Sequence, residues 1–378
     1  MMEIIKKVLV AIDWIFVKIQ GFAVSAFSKD SLNAIILSFC KAAETKSTYV
    51  SYQIKPKDTT EIPILSGLEQ SHSFAIVLQG PICIKDEMTY NTVRFYKQTY
   101  PHAKIIISTW NDEVEENIGC LTELGAVIVR NEKPLNNGFW NVNYQIVSSL
   151  AGIKKAKELG CEFAVKTRTD QRVCKPFIFD TMLSSIQLFP SDSEKQRGRV
   201  VTLSMWGGGI FSPYFTSDFL YLGYTEDLMR LFSVPLDKKI FDYNSRKNVG
   251  RLTRREASVQ MLPPEIYIMK HYCNDILGLS CKDTVESYWY AVKNHLICFG
   301  RMDIDLMWNK NNDSNNIYNL NLNSSSYYGK SDSSERLSTM CFDFFNWINL
   351  YMGNIKYDTR YERYADVTLY AINDKKNH

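Results

Sequence analysis

Phe163-Ala164-Val165-Lys166-Thr167-Arg168-Thr169-Asp170-Gln171-Arg172 is an apolar run that ends in a cluster of charged, amide and hydroxyl side chains. A helix precedes it, because Val142, Ile146, Leu150, Ile153 and Ala156 fall at steps of three or four between Asn141 and Leu159, and Gly160 follows as a stop. The spacing therefore predicts a strand over Cys161 to Val165 that carries its polar cluster at its carboxyl end. Three similar units lie upstream. Phe74-Ala75-Ile76-Val77-Leu78 stops at Gln79-Gly80-Pro81, Lys104-Ile105-Ile106-Ile107 stops at Ser108-Thr109-Trp110, and Ala126-Val127-Ile128-Val129 stops at Arg130-Asn131. Glu87 to Tyr100 and Asp112 to Leu124 are long enough to be crossover helices, the second ending at Gly125. Four strands alternating with helices predict an α/β fold with a doubly wound, mostly parallel sheet, whose ligand lies beyond the carboxyl ends of the strands.

Working outward, Arg199 to Leu203 is a fifth strand candidate, followed by Trp206-Gly207-Gly208-Gly209 as a close-approach turn. Residues 46–73, with Pro56 and Pro63 and no helical period, read as a linker. Residues 1–45 form a helical extension. Residues 74–203 form an α/β half, 204–308 a less regular second half, and 309–378 an Asn- and Ser-rich loop with a closing apolar, aromatic segment. In the extension, Ile5, Leu9, Ile12, Phe16 and Ile19 line one helix face beside Lys6, Lys7 and Lys18, and Leu32 to Phe39 is a second apolar stretch flanked by Lys29 and Lys41. Both stretches fall short of the roughly 20 residues that span a bilayer. Packing on the main domain and resting on an anionic membrane surface both explain them.

Composition narrows the function. The 378 residues carry 44 Lys and Arg against 41 Asp and Glu, a net charge of +3 that lacks the basic field of a nucleic-acid-binding protein. Nine cysteines, an odd number with no Cys-x-x-Cys pair, fit neither a zinc ribbon nor a complete disulfide set, and read as free thiols in a reducing cytoplasm. No Gly-Lys-Ser/Thr directly follows Gly207-Gly208-Gly209, so these glycines make no Walker loop, and no Gly-x-Gly-x-x-Gly sits after the first strand.

Chemistry concentrates at the strand ends. A carboxylate among cations at the edge of a parallel sheet suits a diphosphate: Asp170 through a bridging divalent ion, or Lys166, Arg168 and Arg172 by direct neutralisation. A salt-bridge network without a ligand explains the same spacing. Glu265, after Leu262-Pro263-Pro264, stands at a helix start, where a carboxylate complements the helix dipole or serves as a general base. Arg246, Lys247, Arg251, Arg254 and Arg255 form a basic run, read as a solvated loop or as a cover for an anionic ligand.

Ala75-Ile76-Val77-Leu78-Gln79-Gly80-Pro81-Ile82, Ile107-Ser108-Thr109-Trp110, Asn141-Val142-Asn143-Tyr144-Gln145-Ile146 and Lys166-Thr167-Arg168-Thr169-Asp170 together resemble the WavE lipopolysaccharide-synthesis proteins. Ser217-Asp218-Phe219 with Gly223 and Asp227, and then Pro264-Glu265, extend the resemblance over Phe74 to Asp305. It implies a GT-A-like fold and a glycosyltransferase that moves a sugar from a nucleotide-sugar donor to a growing lipopolysaccharide or capsule. It also places Gln79, Gly80, Pro81, Thr109 and Trp110 at the base and ribose, and Asn143, Lys166, Arg168 and Thr169 with the donor, although helix capping explains Asn141 as well as ligand binding does. The catalytic candidates are Glu265 as base, Asp218 as its competitor or an acceptor contact, and Asp170.

Many GT-A enzymes carry Asp-x-Asp at this strand end, whereas here Arg168 occupies the first position. The implied cation, Mg or Mn, rests on Asp170 with a distant residue such as His271, His295, Asp303 or Asp305. The implied partners are the donor and a glycan or lipid-linked glycan acceptor at the inner face of the cytoplasmic membrane. Two other activities suit the residues: transfer of a sugar phosphate or alditol phosphate, and non-catalytic glycan binding or assembly.

Overall fold

The computed structural model describes residues 29–44, 73–204, 209–239, 252–308 and 341–368. The chain divides into two compact units, 1–57 and 58–378. In the first unit the described element is helix α1 (Lys29–Ala43), on which Ile35, Leu37 and Phe39 are exposed. The stripe from Ile5 to Ile19 and the linker up to residue 72 lie outside the described residues. No described helix is long and apolar enough to cross a membrane.

The second unit is built on strands β1 (Phe74–Gln79), β2 (Lys104–Trp110), β3 (Val127–Asn131), β4 (Phe163–Arg168), β5 (Gln171–Val173), β6 (Val200–Ser204), β7 (Ser217–Tyr224), β8 (Leu296–Gly300) and β9 (Leu306–Trp308). Around them run α2 (Met88–Thr99), α3 (Glu115–Glu123), α4 (Val142–Glu158), α5 (Ile178–Leu188), α6 (Thr225–Leu231), α7 (Arg254–Val259), α8 (Pro264–His271), α9 (Val285–His295), α10 (Arg301–Ile304), α11 (Phe344–Tyr351) and α12 (Glu362–Ala365). One seven-stranded sheet has the order β3-β2-β1-β4-β7-β6-β8, and β5 pairs with β9 in a small second sheet. The neighbours β1 and β2, β1 and β4, β2 and β3, and β6 and β8 are parallel, while β7 runs antiparallel to both β4 and β6. This is the mostly parallel α/β sheet expected from the sequence. Strands β7 and β8, from residues 204–308, complete the sheet that residues 74–203 begin.

Burial explains the strand composition. All six residues of β1 are buried and β4 is buried up to Arg168, as befits strands covered on both faces. Helix α4 lies on β1 and β2 so closely that a Cβ on Gly152 would stand 2.4 Å from Val77 Cγ1, which is why the contact needs glycine. The antiparallel entry of β7 matters most for function. Since Lys166 is opposite Tyr221 in the register, the first residues of β7, Ser217 and Asp218, arrive beside the carboxyl end of β4.

Two local expectations are corrected. Asn141 occupies the N-cap position of α4 in a left-handed conformation, φ 65°, but its side chain caps nothing and instead accepts from Asn137 Nδ2 at 2.8 Å. Arg254 and Arg255 are not a solvated loop. Arg254 is buried and donates to Tyr364 O at 2.9 Å, and Arg255 binds Asp366 and Glu362, tying α7 to the closing segment. Arg246, Lys247, Arg251 and Trp206-Gly207-Gly208 lie outside the described residues. The nine cysteines are free thiols.

Candidate active site

Lys166 faces the same side of the sheet as Val77 and Tyr221, its partners in the register, and is fully buried. Its Nζ donates to Asp218 O at 2.5 Å and lies near 6 Å from the rings of Tyr221 (6.0 Å) and Phe232 (5.9 Å). Burial pulls its pKa down to about 8, opposed by the charge of Asp218, reinforced by Arg168, and opposed again by Asp170 and Glu265. Lys166 therefore secures the start of β7 against β4.

Two residues on, Arg168 reaches the strand end. Its Nε donates to Asp170 Oδ1 at 2.9 Å, one terminal nitrogen to Asp170 Oδ2 at 3.0 Å and the other to Asp218 Oδ2 at 3.3 Å. Trp308 Nε1 also donates to Asp170 Oδ2, at 3.1 Å. The guanidinium stands over the Phe219 ring at 5.8 Å, and Phe219 meets Trp308 edge to face at 4.7 Å. Burial works against the charge on Arg168, but Asp170 and Asp218 outweigh it and raise its pKa. The side chains of Arg168 and Asp170 keep 22% and 18% of their surface exposed, so this pair borders solvent, whereas the Asp218 side chain keeps only 4%.

The turn after β1 closes one wall. Gly80 has φ +118°, a backbone conformation that favours glycine, and a Cβ there would press on Thr169 Oγ1 at 3.2 Å. Thr169 N donates to Gln79 O, Thr169 Oγ1 to Pro81 O at 2.5 Å, and Thr89 Oγ1 to Thr169 O at 2.9 Å, so the β1 turn and the β4 end are one hydrogen-bonded unit. Gln79 is register partner to Arg168, and its Oε1 is buried without a hydrogen-bond partner among the described residues. Cys83 stands nearby, its thiol pushed up first by burial and then by the charge of Asp170.

Glu265 lies in the first turn of α8, a helix that packs against β7 and α4. One of its carboxylate oxygens is buried, and its charge acts on both Lys166 and Tyr221. The structure thus brings Gln79, Gly80, Pro81, Lys166, Arg168, Thr169, Asp170 and Asp218 together where β1, β4 and β7 meet, and sets Glu265 on the helix packed against β7.

Other expected residues are spent on structure. Asn143 is buried, donates from Nδ2 to Asn136 O and Asp237 O, both at 2.8 Å, and accepts from Asp237 N at 2.7 Å, which fixes the segment around residue 237 to α4. Thr109 is buried and its hydroxyl donates to Glu113 Oε2, which also accepts from Ile82 N. Trp110 is 5% exposed and packs on Tyr144, with ring centroids 5.1 Å apart. Arg172 is buried under the Phe95 ring. His271 binds Asp275, and His295 is buried with its Nδ1 on Gln196 Oε1 at 2.7 Å. Asp303 Oδ2 accepts from the backbone of Gly300 and Phe344, and the main-chain carbonyl of Asp305 accepts from Cys174 N. Trp308 and Phe219, which hold the charged pair, carry no sequence signal beyond their aromatic type, because β9 is too short to show a period.

In an open, mostly parallel α/β sheet of this kind a ligand crevice lies beyond the carboxyl ends of the strands, where these charged side chains gather. The chain belongs to the WavE lipopolysaccharide synthesis family, whose model matches residues 74–280, more than half of its 378 residues. No curated protein matches it. Among solved structures it is similar to glucosyl-3-phosphoglycerate synthase from Mycobacterium tuberculosis in complex with Mn2+, UDP and glucosyl-3-phosphoglycerate. That similarity amounts to 12% identity and a TM-score of 0.33 over 70% of this chain and 82% of that one. It is also similar to mannose-1-phosphate geranyltransferase from Thermus thermophilus, at 10% identity and a TM-score of 0.26 over 56% of this chain and 72% of that one.

Proposed function

We propose that the protein transfers a sugar from a nucleotide-sugar donor to a growing surface polysaccharide, lipopolysaccharide or capsule. The observation that carries this reading is the meeting of Arg168, Asp170 and Asp218 at the end of β4 with the Gln79-Gly80-Pro81 turn beside them, in a chain of the WavE family. The donor diphosphate lies at the exposed edge of the Arg168 and Asp170 pair. The Gln79 amide stands next to it as a contact for the nucleoside.

In an inverting transfer, the acceptor hydroxyl attacks the anomeric carbon from the side opposite the diphosphate and must lose its proton as it does so. Glu265 is the general base in this reading: it stands in the first turn of α8, the helix packed against β7, the strand that carries Asp218. Asp218 is a poorer base because it is buried and its Oδ2 already accepts from Arg168; it orients the guanidinium. The exposed apolar residues of α1 suit attachment to a membrane surface, where lipid-linked glycans are met.

Incubation with a panel of nucleotide sugars separates the alternatives by their product. Sugar transfer or donor hydrolysis frees a nucleoside diphosphate, transfer of a sugar phosphate or alditol phosphate frees a nucleoside monophosphate, and a binding protein frees neither. Release of monophosphate, or of nothing with every donor, would overturn the reading.

A further inference from the structure

The fold family implies a divalent cation at the end of β4, yet the side chains there do not present one with ligands. Both oxygens of Asp170 are taken by a two-pronged contact from Arg168, and Oδ2 receives Trp308 Nε1 as well. The nearest second carboxylate, Asp218, also accepts from Arg168. Among the described residues no group of three His, Cys, Asp or Glu side chains is placed to hold a metal ion. A dication on Asp170 would have to break two charge-assisted bonds and then stay beside the guanidinium it displaced. Of the distant candidates, the side chains of His271, His295 and Asp303 are engaged with Asp275, Gln196 and the backbone of Gly300 and Phe344.

We infer that the guanidinium of Arg168 takes the place of the cation and binds the donor diphosphate directly, with Asp170, Asp218 and Trp308 as positioning residues that aim it. The inference rests on the reading of this strand end as a donor site. A guanidinium has five N–H donors, and three of them are committed to Asp170 and Asp218, which leaves two for phosphate oxygens. Fixed by two carboxylates and the Phe219 face, Arg168 needs no reorganisation when charge develops in front of it. In the transfer, the bond from the anomeric carbon to the diphosphate breaks with its electron pair going to the phosphate oxygen. The acceptor oxygen bonds the anomeric carbon, its proton passes to Glu265, and Arg168 stabilises the nucleoside diphosphate that leaves.

Calorimetric titration of the full-length protein with UDP, GDP, ADP and dTDP, each in chelator and again in Mg2+ or Mn2+, tests this without any substitution. The expected result is that one of them binds, with a dissociation constant that differs by no more than about twofold between conditions, an effect well below the tenfold that corresponds to 1.4 kcal/mol. Asp170→Asn should then raise KM for the donor by about tenfold and lower kcat as well, with both as insensitive to chelator as in the wild type, because loosening one charged contact weakens the hold on Arg168 without removing it. Binding that appears only with metal, or loss of metal-dependent turnover in Asp170→Asn, would overturn the inference and leave the donor site standing. Failure of every nucleotide to bind in both conditions would overturn the donor site itself and the inference with it.

Discussion

Lys166 Nζ donates to Asp218 O at 2.5 Å, a buried cation on β4 clasping the first residues of the antiparallel strand β7. This contact decides where the second carboxylate of the site stands. It also gives the site a group that titrates near neutrality.

The pH dependence follows from the sign of that shift. Lys166 has a folded pKa of about 8 against 10.5 for an ordinary lysine, so between these values the unfolded chain holds a proton that the folded chain has released. Its contribution to stability therefore rises from pH 8 toward 10. The buried tyrosines 96, 100, 221, 272 and 288 have raised pKa values and act in the opposite direction only above pH 10. Turnover should fall as Lys166 loses its charge, since one cation then leaves the neighbourhood of the diphosphate. In Lys166→Met the descending limb near pH 8 should vanish from the kcat/KM profile. A wild-type profile flat from pH 7 to 9 would count against any role for this charge.

Acid stability depends on a different residue. Burial, and then the charge of Arg199, pull the His295 pKa from 6.5 to about 4, and its Nδ1 donates to Gln196 Oε1. The sign is that of a depressed group: the unfolded chain takes up a proton between pH 6.5 and 4 while the folded chain does not, so stability present above pH 6.5 is lost as the pH falls. The loss attributable to this histidine is on the order of 3 kcal/mol. Urea midpoints for wild type and His295→Gln measured across that window should converge at low pH. Parallel curves would assign the acid loss to other groups.

Glu265→Gln should bind donor normally and lower kcat by about 10²- to 10⁴-fold with saturating acceptor, the usual cost of a lost general base. Rapid turnover of this variant would pass the role to another carboxylate.

The exposed Ile35, Leu37 and Phe39 of α1, with Lys29 and Lys41 at its ends, predict reversible attachment to anionic liposomes. Attachment should weaken with salt by roughly 1 kcal/mol per basic residue near the surface. Flotation at low salt should carry the full-length protein with the vesicles, and Phe39→Ser should leave more of it behind. Full-length protein that stays soluble at low salt would favour a helix packed on protein.

The sheet was legible because its parallel strands are continuous apolar runs: β1, β2, β3 and β4 begin within two residues of where the pattern puts them, and α4 within one. Strand β7 was not, since its residues read as Ser-Asp-Phe-Leu-Tyr-Leu-Gly-Tyr with no flanking helix of clear period, although it supplies Asp218. The site residues at strand ends were visible as types. Their roles were hidden because burial and partners decide them: Asn143 and Thr109 have the composition of ligands, yet their polar atoms are used up on Asp237 and Glu113. The clamp of Trp308 on Asp170 joins residues 138 positions apart, a pairing that no local pattern encodes.

Sugar transfer itself is tested most directly by the mass of the acceptor. Nascent surface polysaccharide is incubated with the purified protein and the donor selected from the panel, and both glycan and nucleotide are weighed by mass spectrometry. Glycosyl transfer predicts a gain of one sugar residue per nucleoside diphosphate released, abolished in Glu265→Gln. A glycan that gains a sugar phosphate with release of nucleoside monophosphate, or that gains nothing while binding the protein, would contradict it.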